Sequence, residues 1–282
     1  MSLNALSEVR TQMGARLFAR VAGPEGPGRR ERIHSTPGPR WFPDDTPIRQ
    51  VHADASMFVG GVRALLLQSL HPLAMAGVAA HSGYQGDPWG RLQRTSYFLA
   101  VTTFGAAQDA EAMVARVRGV HARVTGVAPD GRPYAASDPH LLRWVHLAEI
   151  DSFLRAHQRY GAHPLDRDGR DTYVAQTARV AEALGVLDPP RTEHELRDQL
   201  AGYRPELAGT PAAREAARFF LLSPPLPALA RVPYGAIAAA AVGMLPWYAR
   251  RRLRLPYLPV TEATVVRAAG AVVTRTIRWA MT

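Results

Sequence analysis

The sequence predicts an all-α fold, and three observations carry that expectation. Apolar residues recur at helical spacing along most of the chain from Pro47 onward. Proline, Asp and Gly sit where helices start and stop. No long alternating segment bounded by hairpin turns is present, so strand signals are scarce.

Taken in order, the N-terminus has amphipathic helical spacing at Leu6, Val9, Met13 and Leu17. Residues 23–46 are rich in Gly, Pro and Arg and read as an extended lead-in without regular structure. That divides the chain into a helix plus lead-in over 1–46 and a single all-helical domain over 47–282. The spacing predicts a helix over 47–70. His71-Pro72 interrupts it, because proline removes a backbone donor and clashes with the preceding turn. A second helical piece follows at 73–82, and its small residues suit close packing or close approach of a ligand. Residues 83–90 form a loop. Helices are expected at 91–104, closed by Gly105, and at 107–125, with Gly126 as a C-terminal cap. Asp138-Pro139 opens the next helix, 138–160, with Asp as the cap and Pro at the first position. Further helices fall near 171–185, 191–203, 211–222, 227–246 and 260–280.

Composition narrows the chemistry. The 282 residues include 47% hydrophobics, enough for a sizeable core. There is no cysteine, which excludes disulfides, thiolate metal sites, iron–sulfur clusters and cysteine nucleophiles. Any metal must be held by histidine or oxygen, and ten histidines supply candidates. Every basic side chain is an arginine, so lysine Schiff-base chemistry and a lysine general base are excluded. The net charge of +10 is spread along the chain, and nucleic-acid binding is not the expectation. No continuous apolar leader and no apolar run of spanning length is seen. The expectation is a cytoplasmic protein. Peripheral contact with an anionic membrane is the alternative, through the apolar segment 235–247 and Arg250-Arg251-Arg252.

Three constellations could carry chemistry. In the helix over 107–125, Met113, Val117, Val120 and Val124 mark an apolar face, and His121 points the same way. This fits either a core histidine bonded to a carbonyl or a metal ligand. In the helix over 91–104, Arg91, Arg94 and Thr95 share a stripe that turns apolar at Phe98, Leu99 and Thr102. It is either a solvated helix end or a polar cluster for carboxylates or bound oxygen. In the helix over 138–160, Leu142, Val145, His146, Glu149 and Phe153 lie on one face. His146 and Glu149 are either a structural pair or half of a carboxylate iron site that lacks a second Glu-x-x-His motif.

The order LHPLAMAGVAAHS, DPWGRLQRTSYFL, TTFG, VHARVTG and YAASDPHLLRWVH resembles the latex clearing protein and ER-bound oxygenase family. The resemblance runs from Val59 to about Gly161 and continues more weakly through 195–227. It implies a globin-like helical core around a b-type haem, with His121 as the iron ligand. The family's Arg-x-x-Lys-Thr pattern appears here as Arg91-Leu92-Gln93-Arg94-Thr95. Arg91 and Thr95 match, while Arg94 replaces the lysine that can close the distal side. Arginine stays protonated and is a poor iron ligand, so an open distal site or a different sixth ligand is expected.

The functional expectation is therefore a haem-dependent oxygenase acting on an apolar or aromatic small molecule with dioxygen or peroxide. His121 would hold the iron. Arg91, Thr95 and His146 would help bind the cofactor, and Arg94 and Thr95 would serve catalysis. Two alternatives stand beside it: a non-haem iron oxygenase using His146 and Glu149, and a non-catalytic haem- or lipid-binding carrier.

Overall fold

Proline and side-chain caps set many of the element boundaries in the computed structural model, which describes residues 3–281. α1 (Leu3–Ala22) leads to α2 (Gly26–Ser35), α3 (Pro47–Ala53), α4 (Met57–Gln68) and α5 (Pro72–His81). α6 (Pro88–Phe104) and α7 (Ala107–His121) follow, then an antiparallel hairpin of β1 (Thr125–Val127) and β2 (Pro133–Ala135). The second half runs through α8 (Pro139–Tyr160), α9 (Arg167–Leu184), α10 (Glu193–Gly202), α11 (Pro211–Leu222), α12 (Ala228–Gly243) and α13 (Trp247–Leu253). The last stretch opens as α14 (Pro259–Thr261), passes a π-helical turn at Glu262–Val266 and ends as α15 (Arg267–Met281). Pro72, Pro88 and Pro139 occupy first helical turns, where a missing N–H costs nothing. Asp87, Asp138, Asp166, Thr192 and Thr210 accept backbone N–H groups as N-caps.

α8 is the central element. Leu141, Trp144, Leu147, Ala148, Ile150, Phe153, Leu154 and Ala156 are all buried, so the helix is covered nearly all round. α4 packs along it and contributes Val59, Leu66 and Leu67 to the core. Gly60 permits the approach: a Cβ there would lie 2.9 Å from Phe153 Cδ1 and 3.2 Å from the Ser152 carbonyl. A second apolar cluster joins Val59, Ala156 and Tyr160 to Ile237, Ala240 and Ala241 of α12 and to Val273 and Ile277 of α15. Among the described residues, no single helix is long and apolar enough to cross a membrane.

Three local expectations are corrected. The lead-in is not unstructured, because residues 26–35 form α2. Pro27 lies in its first turn, Ile33 is buried, and Arg29 stacks over Tyr97 of α6. The helix expected over 47–70 is two helices. Asp54 breaks it by accepting the Ser56 and Ala162 N–H groups and both Nε and Nη2 of Arg278, so α15 is pinned at the break. α7 ends at His121 and Gly126 is not its cap; Gly126 lies in β1, where a Cβ would collide with the Tyr134 hydroxyl. Burial is mixed in the segment 235–247 and Arg250-Arg251-Arg252, where Trp247 is 57% exposed and Arg251 projects. Ile237, Ala238, Ala240, Ala241 and Leu245 are core residues. Arg250 is buried and paired with Glu262, and Arg252 donates to the Leu207 carbonyl.

Candidate active site

The loop Gly105-Ala106 folds α6 back on α7 as an αα-hairpin. Arg91 and His121 each lie about four turns from that loop, so they stand at the same level of the hairpin. α5 closes on this end from two sides. Arg91 Nη1 donates to Ser82 Oγ at 2.8 Å, just after α5, and β2 rests on α5, with Tyr134 against Gly77. The hairpin β1–β2 joins the end of α7, where His121 lies, to the start of α8.

His121 is half-buried, and its Nδ1 is buried without a hydrogen-bond partner. Burial lowers its pKa, so the ring is neutral at neutral pH. A core histidine bonded to a carbonyl is therefore not what the fold provides. The face expected from spacing is present in part. Met113, Val117 and Val124 are half-buried, whereas Val120 is 44% exposed and the buried residues of α7 are Ala110 and Val114.

The Arg/Thr stripe of α6 divides. Arg91 is half-buried, and burial pulls its pKa down, with a smaller contribution from the Arg94 charge. Arg94 turns outward and pairs with Asp87 at 3.2 Å, with its side chain 63% exposed. Thr95 is exposed and donates to the Arg91 carbonyl at 3.0 Å.

On α8, Leu142, Val145, His146 and Glu149 form a half-buried stripe on an otherwise buried helix. His146 Nε2 is buried without a partner, and desolvation lowers the ring's pKa to about 4. Glu149 is the mirror case: desolvation raises its carboxyl to about 7. The two are three residues apart and gather no third ligand. Among the described residues, the group of three close metal-ligating side chains lies elsewhere, at His71, His140 and Glu206. Among the described residues, His146 and Glu149 are not part of a group of three His, Asp or Glu donor atoms within 4.8 Å of one another.

Spacing did not single out His52, Thr103 and Tyr173. His52 Nδ1 lies 2.8 Å from Thr103 Oγ1, and Nε2 lies 3.4 Å from the Tyr173 hydroxyl. Tyr173 is fully buried. Its pKa is raised by burial first and then by the Glu149 charge, which places the phenol within electrostatic reach of that carboxyl. The signal available was His52 beside the core positions Ile48 and Val51; the partners come from α6 and α9, distant in sequence.

A profile described as ER-bound oxygenase mpaB/B'/Rubber oxygenase, catalytic domain, matches residues 49–279. The chain belongs to this family of oxygenase catalytic domains, and it is an oxidoreductase of the oxygenase type. No curated protein and no solved structure matches it.

Proposed function

We propose that the protein is a haem-dependent oxygenase for a small apolar or aromatic substrate, in which His121 would hold the haem iron. The observation that carries this reading is the buried, unpartnered Nδ1 of the half-buried His121 at the end of α7. A neutral imidazole nitrogen without a hydrogen bond is the donor such an iron needs. When bound, a b-type haem would supply the activation of dioxygen or peroxide.

The chain's own residues would orient and protect that chemistry. Arg91 stays protonated and spends one Nη1 donor on Ser82, leaving other donors for propionate carboxylates. Arg94 and Thr95 sit at the exposed end of the same helix, where they would guard the entrance rather than reach the deepest atoms. Leu99, Val117, Leu142 and Val145 are half-buried apolar side chains on α6, α7 and α8, of the kind that would suit an apolar substrate. Glu149, with a pKa near neutrality, can hold or release a proton at its carboxylate oxygens. His146 remains neutral and can donate from one ring nitrogen while accepting at the other.

The test is the visible spectrum of protein produced with haem supplied, oxidised and reduced, beside His121→Ala. The parent should show a Soret band that shifts on reduction, and the variant should lose most of it. A variant with full haem content would overturn the ligand assignment. A parent that takes up no haem would overturn the cofactor.

A further inference from the structure

We propose that His71, His140 and Glu206 form a binding site for a first-row divalent cation, zinc in the first instance, separate from the His121 region. His71 lies at the junction of α4 and α5, His140 in the first turn of α8, and Glu206 in the turn between α10 and α11. His71 Nε2 is 3.3 Å from Glu206 Oε2, and His140 Nε2 is 2.8 Å from the same oxygen. All three donor atoms lie within 4.8 Å of one another.

That spacing suits a cation. Zinc holds imidazole nitrogen and carboxylate oxygen at about 2.0–2.2 Å, so ligand atoms at tetrahedral corners stand about 3.3 Å apart. The His71–Glu206 separation already has this value. The His140–Glu206 contact needs to open by roughly half an ångström to reach it, a shift that the Glu206 side chain, 40% exposed, can supply. Two imidazoles and one carboxylate are a donor set for zinc and for other first-row ions.

The surroundings hold the donors in place. His71 is 1% exposed and is the N-cap of α5, while the His140 ring stacks on Tyr203 with centroids 4.6 Å apart. The Tyr203 hydroxyl donates to the His140 carbonyl at 2.8 Å. Binding through His71 Nε2 requires the ring proton to move to Nδ1. There it displaces the Ala74 N–H, whose contact with Nδ1 is a weak 3.5 Å. Beyond the three donors the site is open on the side of the exposed His140 and Glu206, so water completes the coordination.

The structural consequence concerns α8. A cation here ties the first turn of α8 to the start of α5 and to the turn before α11, three segments that are otherwise distant in sequence. His146 and Glu149 lie about two turns further along the same helix. The cation would thus act as a positioning clamp on the helix that carries them.

The experiment is a zinc titration of the full chain, freed of any affinity tag, against a chromophoric chelator, with thermal melts in parallel. The parent should bind one equivalent with micromolar or tighter affinity. His140→Ala and Glu206→Gln change exposed side chains, so they should fold normally and bind at least tenfold more weakly. His121→Ala should bind zinc as the parent does, which separates this site from the haem reading whatever the fate of that reading. Zinc should raise the melting temperature of the parent by clearly more than that of His140→Ala. Binding equal in parent and in both site variants, or no binding in the parent at micromolar zinc, would overturn the proposal.

Discussion

Arg63 of α4 donates from Nη2 to Asp151 Oδ2 of α8 at 2.7 Å, with both side chains almost sealed from solvent. The other two guanidinium nitrogens are bonded as well: Nη1 donates to Ser152 Oγ and Nε to the Met244 carbonyl. Burial alone would raise the Asp151 pKa, but the Arg63 and Arg155 charges outweigh it and hold the carboxyl below the usual range. The pair joins the two central helices to the end of α12, which is why a charged pair sits in an otherwise apolar seam.

Breaking that pair should be severe, because the guanidinium cannot shed its proton and would remain buried without its counter-charge. Asp151→Asn keeps the volume and removes the charge. We expect a loss of about 3–5 kcal/mol in stability, read as a lower urea midpoint. A loss under about 1 kcal/mol would mean that water or another carboxylate reaches Arg63.

Gly60→Ala tests the close approach of α4 and α8. The added methyl meets Phe153 Cδ1 at 2.9 Å and the α8 backbone at 3.2 Å, and backbone cannot swing away as a side-chain tip does. We expect destabilisation of about 1–3 kcal/mol, although alanine is the better helix former by about 1 kcal/mol. Gly61→Ala, one residue on, meets nothing within 4 Å and should be neutral or stabilising. Equal effects at the two positions would contradict the packing described.

Much of the helical order was legible because its signals are local. Asp138-Pro139, Gly105 and His71-Pro72 mark boundaries through the dihedral limits and missing donors of single residues. The α3/α4 break was not legible, since Asp54 is held there by Arg278 from the far end of the chain. The hairpin after His121 was hidden because each strand has three residues, too few to show alternation. At the candidate site, the sequence placed His146 and Glu149 on one helix face correctly, because that relation lies within a single element. It grouped Arg91, Arg94 and Thr95 on the same logic. The fold separates them, because Asp87 draws Arg94 outward while Ser82 draws Arg91 toward α5. Tyr173 beside His52, and Glu206 beside His71 and His140, are products of tertiary packing with no local trace.

The last prediction concerns pH and Glu149. Its pKa rises by desolvation from 4.5 to about 7, so the folded chain holds a proton that the unfolded chain has released across that window. The folded state therefore binds more protons there, and stability falls as pH rises from about 4.5 to 7. His146 works in the opposite direction: its folded pKa near 4 lies below the unfolded value of 6.5, so its contribution is present above pH 6.5 and lost as pH falls toward 4. A comparison of Glu149→Gln with the parent cancels the histidine and isolates the carboxyl. Relative to the parent, the variant should gain stability between pH 4.5 and pH 8, by up to about 3 kcal/mol. The accessible surface that Glu149 retains makes this an upper bound. Urea denaturation of both proteins at the two pH values measures the gain. A stability difference that does not change with pH would show that Glu149 titrates as an ordinary surface carboxylate, and its assignment as a near-neutral proton carrier would fail with it.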